Sequence, residues 1–376
     1  MIKIFWENYG KRTEKIIQAL KRPSEKYAIR VNTLKTTTKE VLQIFHDMHV
    51  GAELHPILEE VIDLPVDGPF EIPEYQKKVV VDKFTAESLM QGADLFAPGV
   101  LRTAKVRIGD KVTIFAKSGE IVAAGMAKMT ANDMLKKRRG LAVGVTDSIY
   151  KVFGIRDSDL FKKGFIFDQS LPSIVVSKVL EPKSNDFIID MCAAPGGKAT
   201  HLAQLMRNKG HILAVDRSAP RLKRLEEHVT RLGIKNIELL RGDSRNLPEE
   251  YSHKADKILI DPPCSALGVR PKLFQGNKDI INTANYQRHF LRSAVKYVKP
   301  KGTLVYSTCT LTTEENEANV KFLLDNFDCE IIDQPIFLGS PGEKIEGLSN
   351  WQKLQRFYPD MHETPGYFIG KIRMQS

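Results

Sequence analysis

Two cysteines occupy positions from which a thiol could act on a substrate. Cys264 follows the rigid Asp261–Pro263 stretch DPP, and Cys309 ends the apolar run VYSTC. A thiol close to a helix N-terminus can have a lowered pKa and act as a nucleophile. A single buried cysteine is usually a small hydrophobic residue. Two cysteines that each follow an apolar run, one of them three residues after an aspartate, indicate a catalytic thiol pair.

A glycine-rich turn lies upstream of both cysteines. The segment DMCAAPGGK, residues 190–198, connects an apolar run to a helical pattern. Glycines allow the backbone to approach a ligand, and the N–H groups of a helix start face it. Asp216 and Asp243 end the next two apolar runs. An aspartate in the place of Asp216, at the end of the second strand, can bind two ribose hydroxyls. Turns at strand ends often contain Gly and Asp for structural reasons alone. Three successive strand ends with such residues, however, favour a nucleotide-like cofactor. The spacing is not G-x-G-x-x-G, which argues against a dinucleotide.

Strands and helices alternate around these residues from about residue 160 onward. The runs FIIDMC, HILAVD, IELLRGD, KILIDPPC and GTLVYSTC predict strands, and APRLKRLEEHVTRLG predicts a helix with Ser218 as its N-cap and Gly233 at its end. Thr312 and Glu315 form a capping-box pattern for the helix after Cys309. The alternation predicts an α/β fold with a doubly wound parallel sheet, in which ligands bind beyond the carboxyl ends of the strands.

Two smaller units precede this region, so the sequence predicts three domains, at residues 1–72, 73–152 and 153–376. The first shows an α+β pattern, with a helix before Pro23, a strand at 27–34 and a capping box at Thr37 and Glu40. The second has short β-like runs separated by turns, which predicts a small β-barrel or sandwich. Residues 73–150 carry a net charge of +5, including the basic cluster Lys136, Lys137, Arg138 and Arg139. Such a cluster is either a solvated face or an RNA contact.

Composition narrows the class of protein. The formal net charge of +10 favours a polyanionic partner. None of the four cysteines forms a C-x-x-C pair, so we expect no zinc site and no disulfide framework, but free thiols in a reducing cytoplasm. The first residues, MIKIFWENYGK, lack the apolar region of a signal peptide, and no apolar run is long enough to cross a membrane.

Three motifs together resemble one family. The segments DMCAAPGGKATHLA, DPPCSALGVRPKL and YSTCTLTTEENE look like the Nop/Sun family of RNA 5-methylcytosine methyltransferases, from about residue 160 to the C-terminus. RVNTLK near residue 30 is similar to the N-terminal region of that family. VDKFTAESLMQGADLFAPGV resembles the start of a PUA domain, an RNA-binding β-barrel. A PUA domain ahead of the catalytic core resembles the tRNA-modifying NSun-six branch, and the resemblance implies a Rossmann-like class I methyltransferase core.

The resemblance also implies a role for each motif residue. Cys309 matches the nucleophile, Cys264 the thiol that assists release, and Asp261 the carboxylate that binds the pyrimidine edge; Lys198 joins them as a catalytic residue. The implied cofactor is S-adenosylmethionine. Its implied contacts are Cys192, Ala193, Ala194, Pro195, Gly196, Gly197, Lys198, Asp216, Arg221, Asp243 and Asp261. We expect Cys192 to line the cofactor turn and Cys329 to be structural.

The implied reaction requires a thiolate nucleophile and a hydrogen-bonding group beside the base. Carbon 5 of cytosine is a poor nucleophile until a thiolate adds to carbon 6, and hydrogen bonding at N3 near Asp261 would stabilise the developing charge. The base must leave its stack to be reached. The branch resemblance implies tRNA as the partner, with the cytidine next to the discriminator base of the acceptor end as the target. We expect a monomer that binds neither membrane nor metal.

Two alternatives stay open at this point. The first is a DNA cytosine-5 methyltransferase, in which Cys264 would be the nucleophile; the Thr-Cys motif and the RNA-type β-domain argue against it. The second is a non-catalytic RNA-binding or assembly factor on a methyltransferase fold. Such a protein should have lost a cofactor or cysteine position, and this chain has kept both.

Overall fold

The chain forms three β-sheets with separate hydrophobic cores in the computed structural model, which describes residues 2–273 and 279–375. In chain order the sheets belong to an α+β unit, a β-rich unit and an α/β unit. This order agrees with the fold class that the sequence predicted. The exact domain boundaries stay a prediction, because the chain crosses between units more than once.

The N-terminal unit is an antiparallel sheet of four strands in the order β10-β1-β3-β2. Strand β10 comes after the second unit in the sequence, and it pairs with β1 at the edge of this sheet. The N-terminal sheet therefore contains a strand that is far from the other three in sequence. The predicted capping box is confirmed, since Thr37 and Glu40 exchange both hydrogen bonds. The elements are α1 (Ile2–Tyr9), α2 (Thr13–Leu20), β1 (Lys26–Val31), α3 (Thr38–Asp47), β2 (Glu53–Leu54), β3 (Val61–Pro65) and β10 (Ile166–Asp168).

The second unit is a six-stranded sheet in the order β5-β9-β8-β7-β4-β6. Only β4 and β7 run parallel within it; the other neighbours are antiparallel. Its core consists mainly of valine and alanine side chains, with a few leucines and methionines, as expected for short strands that curve around a narrow interior. The elements are β4 (Lys77–Val81), α4 (Lys83–Leu89), β5 (Leu95–Phe96), β6 (Val100–Thr103), β7 (Lys111–Ala116), β8 (Ile121–Ala127), α5 (Ala131–Lys136) and β9 (Leu141–Ser148).

The C-terminal unit is built on a nine-stranded sheet in the order β13-β12-β11-β14-β15-β19-β18-β17, with β16 also paired to β19. The five strands from β13 to β15 are parallel, as predicted; β19 adds an antiparallel half that the sequence did not indicate. Neighbouring residues such as Ile188 and Ile189 are both buried, on opposite faces, because helices cover both sides of a doubly wound sheet.

The remaining elements of this unit alternate as the sequence predicted. They are α6 (Asp159–Lys162), α7 (Leu171–Val179), β11 (Phe187–Asp190), α8 (Gly197–Leu205), β12 (His211–Asp216), α9 (Ala219–Leu232), β13 (Ile237–Arg241), β14 (Ala255–Ile260), α10 (Ile280–Tyr297), β15 (Val298–Thr308), α11 (Glu317–Asn326), β16 (Cys329–Ile331), β17 (Ser340–Pro341), β18 (Gln355–Phe357) and β19 (Tyr367–Met374). The strand order reverses between β11 and β14, and a crevice opens there at the carboxyl ends of the strands.

Ser218 occupies the N-cap position of α9 and Gly233 ends that helix in the left-handed conformation, both as predicted, but the Ser218 side chain makes no capping hydrogen bond. The pair Thr312 and Glu315 does not cap α11 either, because this helix begins later, at Glu317. The Glu315 carboxylate is buried and is used for tertiary hydrogen bonds instead.

Candidate active site

Two adjoining cavities lie in the crevice between β11 and β14. They have volumes of about 370 and about 230 Å³, and they share Cys192 and Asp261. The larger one contacts the ends of β12, β13, β14 and β15, and its lining includes Asp216, Arg221, Asp243, Cys264 and Cys309. The smaller one lies between residues 192–198 and residues 167–173. The sheet therefore brings together residues that are more than 100 positions apart in the sequence.

The cofactor turn, residues 191–197, has a backbone that only glycine can follow at one position. Gly196 has a φ of 111°, and a Cβ there would lie 2.3 Å from Leu225 Cδ1. Helix α8 begins at the next residue, and Gly197 and Lys198 at its start line the smaller cavity, where the N–H groups of a helix start can face a ligand. Arg221 donates to the Ala194 carbonyl and lies 3.4 Å from the Asp216 carboxylate, which fastens the turn to the end of β12.

Asp216 and Asp243 stand at the ends of neighbouring strands, as the sequence predicted. The Asp216 carboxylate accepts a hydrogen bond from the Ser218 amide at 2.9 Å, and Asp216 lines the larger cavity. Asp243 is held by a bidentate pair with Arg245, whose hydrogen bonds lower the pKa of Asp243 to about 2. The cradle at Gly196, the free helix start and these two carboxylates fit a nucleoside cofactor such as S-adenosylmethionine.

The two thiols of the predicted pair meet in the larger cavity. The Sγ atoms of Cys264 and Cys309 are 3.2 Å apart, and both residues are partly exposed. Either sulfur could donate in this contact; with the Cys264 S–H as the donor, the bond lowers the pKa of Cys309 and raises the pKa of Cys264. The direction of these shifts makes Cys309 the better nucleophile and keeps a proton on Cys264.

Hydrogen bonds between the two cysteine loops fix this contact. The Ser265 amide donates to the Glu315 carboxylate at 2.9 Å, and the Ser265 and Thr310 hydroxyls are 2.6 Å apart. The Gly268 amide donates to the Cys309 carbonyl at 3.0 Å. These bonds explain why Glu315 does not serve as a helix cap: it joins the loop after Cys309 to the loop after Cys264.

Asp261 lies at the centre of a polar cluster. Its carboxylate contacts Lys198 Nζ at 2.6 Å and accepts hydrogen bonds from the hydroxyls of Ser307 at 3.1 Å and Tyr367 at 3.3 Å. Burial disfavours the Lys198 ammonium, but the Asp261 carboxylate more than offsets this effect and raises the pKa of Lys198. A cation and a carboxylate are thus held side by side at the boundary of the two cavities.

Three residues of the site were given no role from the sequence. Ser307 lies at the end of β15, two residues before Cys309, and the alternation of side chains along a strand could have suggested that both face the site. Tyr367 comes from the antiparallel strand β19, which had no sequence signal. Asp190 lies in the quoted motif but was given no role; it is buried, and burial raises the pKa of its carboxyl to about 7.

The remaining predicted residues lie outside the crevice. All four residues of the basic cluster are exposed at the end of α5. Lys137 pairs with Asp133, and Arg138 donates to two backbone carbonyls of the same unit. Cys329 lies on β16, half-buried and away from the two cavities. Over residues 2–273 and 279–375, no cluster of side chains could hold a metal ion, and no helix is long and apolar enough to span a membrane.

Family models match all three units of the chain. The 16S rRNA methyltransferase RsmB/F model matches residues 177–373, a PUA domain model matches residues 77–149, and an RsmF/B-like ferredoxin-like domain model matches residues 1–71. The matches agree with the resemblance drawn from the motifs. They also identify the first unit as ferredoxin-like, which the sequence had given only as α+β.

Similar proteins cover nearly the whole chain. A Pyrococcus horikoshii protein named tRNA (cytosine(72)-C(5))-methyltransferase is 45% identical over 372 residues, which are 97% of this chain and 94% of the relative. The human tRNA (cytosine(72)-C(5))-methyltransferase NSUN6 is 29% identical over 96% of this chain and 86% of its own length. The crystal structure of Pyrococcus horikoshii NSun6 with SFG, an analogue of S-adenosylmethionine, superposes with a TM-score of 0.90 at 44% identity, over 100% of this chain and 98% of that one. The chain therefore belongs to the RsmB/F family of methyltransferases, in the PUA-containing form that carries a ferredoxin-like domain at its N-terminus.

Proposed function

We propose that the protein methylates carbon 5 of a cytosine in RNA with S-adenosylmethionine as the methyl donor, and that its target is cytosine 72 of the tRNA acceptor end. The observation that carries the proposal is the Cys264–Cys309 contact inside the larger cavity, which Asp216 and Cys192 of the cofactor turn also line. The names of the two relatives supply the position of the target base. The basic PUA unit supplies a surface for a polyanion.

The two thiols act in different steps of the reaction. Cys309, whose pKa is lowered, adds as a thiolate to carbon 6 of the cytosine, which makes carbon 5 electron-rich. After carbon 5 is methylated, elimination passes the carbon-5 proton to solvent, restores the double bond between carbons 5 and 6, and returns the electron pair of the carbon–sulfur bond to Cys309. Cys264, 3.2 Å away, is the thiol that assists this release, by hydrogen bonding to the departing sulfur.

Asp261 and Lys198 bind and polarise the pyrimidine. The carboxylate can accept a hydrogen bond from the exocyclic amine, and the neighbouring ammonium stabilises the negative charge that develops when the thiolate adds. Ser307 and Tyr367 orient the carboxylate through their hydroxyls. S-adenosylmethionine, when bound, supplies an electrophilic methyl group. Residues 192–198, Asp216, Arg221 and Asp243 would hold it in the crevice.

The test is a methyl-transfer assay on defined nucleic acids. We expect transfer from radiolabelled S-adenosylmethionine to a tRNA transcript with cytosine 72, located by bisulfite sequencing, and no transfer to the same transcript with uridine at that position. A Cys309→Ala variant should be inactive, whereas Cys329→Ala, which removes a half-buried thiol away from the crevice, should keep full activity.

The same assay addresses the alternatives. Transfer to duplex DNA but not to tRNA would support a DNA methyltransferase, and binding of tRNA without any transfer would support an assembly factor. Transfer to another cytosine of the tRNA would leave the chemistry intact and refute the acceptor-end target. We also propose that the enzyme acts as a cytoplasmic monomer; elution at a mass above 42.4 kDa in light-scattering chromatography would refute the monomer.

A further inference from the structure

One buried cation of the N-terminal unit reaches the cofactor turn. Arg30, on β1, belongs to the RVNTLK motif, and its side chain has no solvent exposure. Its guanidinium donates to the Gly197 carbonyl at 2.7 Å, to Gln169 Oε1 at 2.7 Å and to the Thr200 hydroxyl at 2.9 Å. A residue about 170 positions upstream therefore contacts the first residue of α8.

The environment of Arg30 is unusual for a structural arginine. All three of its hydrogen bonds go to uncharged acceptors, and among the described residues its Nε has no partner. Burial of the charge lowers the pKa of Arg30 to about 9, although the Glu60 carboxylate, which forms no hydrogen bond with it, opposes this shift. A buried cation without a bonded carboxylate is costly compared with an apolar side chain of similar size. Stability alone is therefore a poor explanation for an arginine at this position.

Two of the acceptors of Arg30 lie on two walls of the smaller cavity. Gly197 lies on the cofactor turn, while Gln169 lies on the opposite wall and donates onward to Ser173. The same guanidinium bonds both walls, and Thr200 extends the connection to the Gly196 carbonyl at 2.7 Å. This arrangement fixes the position of the turn relative to the segment that faces it.

We propose that Arg30 is a positioning residue of the cofactor site: the ferredoxin-like domain fixes the turn at Gly197 through this guanidinium and thereby sets the affinity for S-adenosylmethionine. The proposal rests on the proposed function, since it assigns the cavity to that cofactor. It also implies that the N-terminal domain completes the site of the catalytic domain instead of merely preceding it.

The test compares Arg30 with Arg231, a second guanidinium at the same interface. Arg231, on α9, donates to the Phe161 and Ile166 carbonyls and does not touch the cofactor turn. Both arginines should contribute to folding stability, but only Arg30 should affect the cofactor. The variants are Arg30→Met, Arg30→Lys and Arg231→Met in the full-length chain. Their dissociation constants for S-adenosylmethionine are measured by calorimetry at a temperature where all are folded.

We expect Arg30→Met to raise the dissociation constant by about tenfold or more, as for the loss of one or two hydrogen bonds from a charged group. Arg30→Lys should recover part of this loss, because a lysine keeps the charge but not the fork that bonds both walls. Arg231→Met should stay within about twofold of the wild type. Without cofactor, hydrogen exchange of the amides at the start of α8 should be faster in Arg30→Met and unchanged in Arg231→Met.

Several outcomes would overturn the inference. An unchanged dissociation constant in folded Arg30→Met would do so. An equal loss of affinity in Arg231→Met would also do so, because the effect would then reflect lower folding stability and not the contact with the turn. If Arg30→Met does not fold, Arg30→Lys decides: wild-type affinity refutes the proposal, and weaker binding together with faster exchange at α8 supports it. A wild-type chain that binds no S-adenosylmethionine would refute the proposed function itself and the inference with it.

Discussion

Replacement of Cys264 by alanine should slow the formation of the covalent adduct and at the same time trap it. In the wild type the two sulfurs are 3.2 Å apart, and a hydrogen bond from the Cys264 S–H to the Cys309 thiolate lowers the pKa of Cys309. A hydrogen bond to a charged acceptor contributes about 1.5–3 kcal/mol, and a thiol is a weak donor, so the lower end is appropriate. At about 1.4 kcal/mol per pKa unit, the loss of this bond should raise the pKa of Cys309 by about one unit.

The sign of this shift fixes the pH dependence. Below both pKa values the thiolate fraction falls about tenfold for each unit by which the pKa rises, so Cys264→Ala should form the adduct about ten times more slowly there. Above both values the two proteins should react at the same rate. In the proposed mechanism release is a separate step that requires Cys264, so the slowly formed adduct should nevertheless accumulate.

The assay is single-turnover adduct formation with tRNA and S-adenosylmethionine, followed on denaturing gels as a function of pH. Cys264→Ser is the decisive control, because its hydroxyl restores a donor to Cys309 but not the releasing thiol. We expect this variant to regain the rate of adduct formation and still to accumulate the adduct. Turnover at the wild-type rate by Cys264→Ala, or an adduct that survives in Cys309→Ala, would refute the assignment; the latter result would make Cys264 the nucleophile.

Three further predictions concern the cofactor, the thiol contact and the RNA surface. Asp216→Ala should raise the dissociation constant for S-adenosylmethionine at least about tenfold in calorimetry, since a charged acceptor for the ribose is lost; unchanged affinity would contradict the placement of the ribose. Diamide should join Cys264 and Cys309 in a disulfide that mass spectrometry detects and dithiothreitol reverses, because their sulfurs are already in contact; a linkage through Cys329 would contradict the geometry. Neutralisation of Lys136 and Arg139 should reduce the salt dependence of tRNA binding by about two charges, since Lys137 and Arg138 are already engaged within the domain; an unchanged slope would make the cluster a solvated face.

The sequence was informative where topology forces residues together. Cys264 and Cys309 follow two strands that are neighbours in the parallel sheet, and the carboxyl ends of such strands always lie at one edge. A motif at each strand end was therefore sufficient to predict a shared site. The same reasoning predicted that Asp216 and Asp243 would line the cavity that contains the thiols.

Contacts that depend on the packing of distant segments could not be predicted in this way. Tyr367 reaches Asp261 from an antiparallel strand whose pairing has no local signal. Arg30 looks like an ordinary strand residue until β1 is docked against α8. The Thr312–Glu315 pattern is a good cap by local rules, but the amide of Ser265 competes for the same carboxylate, and tertiary burial decides the outcome.

In the proposed mechanism, the contact between the thiols also accounts for how one pair can serve two opposite steps. Before attack, Cys309 as a thiolate accepts a hydrogen bond from the Cys264 S–H, and this bond both stabilises the thiolate and keeps Cys264 protonated. Once Cys309 has bonded to carbon 6 it is an uncharged thioether and a poor acceptor, so the constraint on Cys264 disappears. Cys264 then becomes available for release only after the adduct exists. The rigid Pro262–Pro263 segment and the Ser265–Glu315 bond hold the two sulfurs within reach in both states, so that the order of events follows from the charge on Cys309 and requires no movement of the loops.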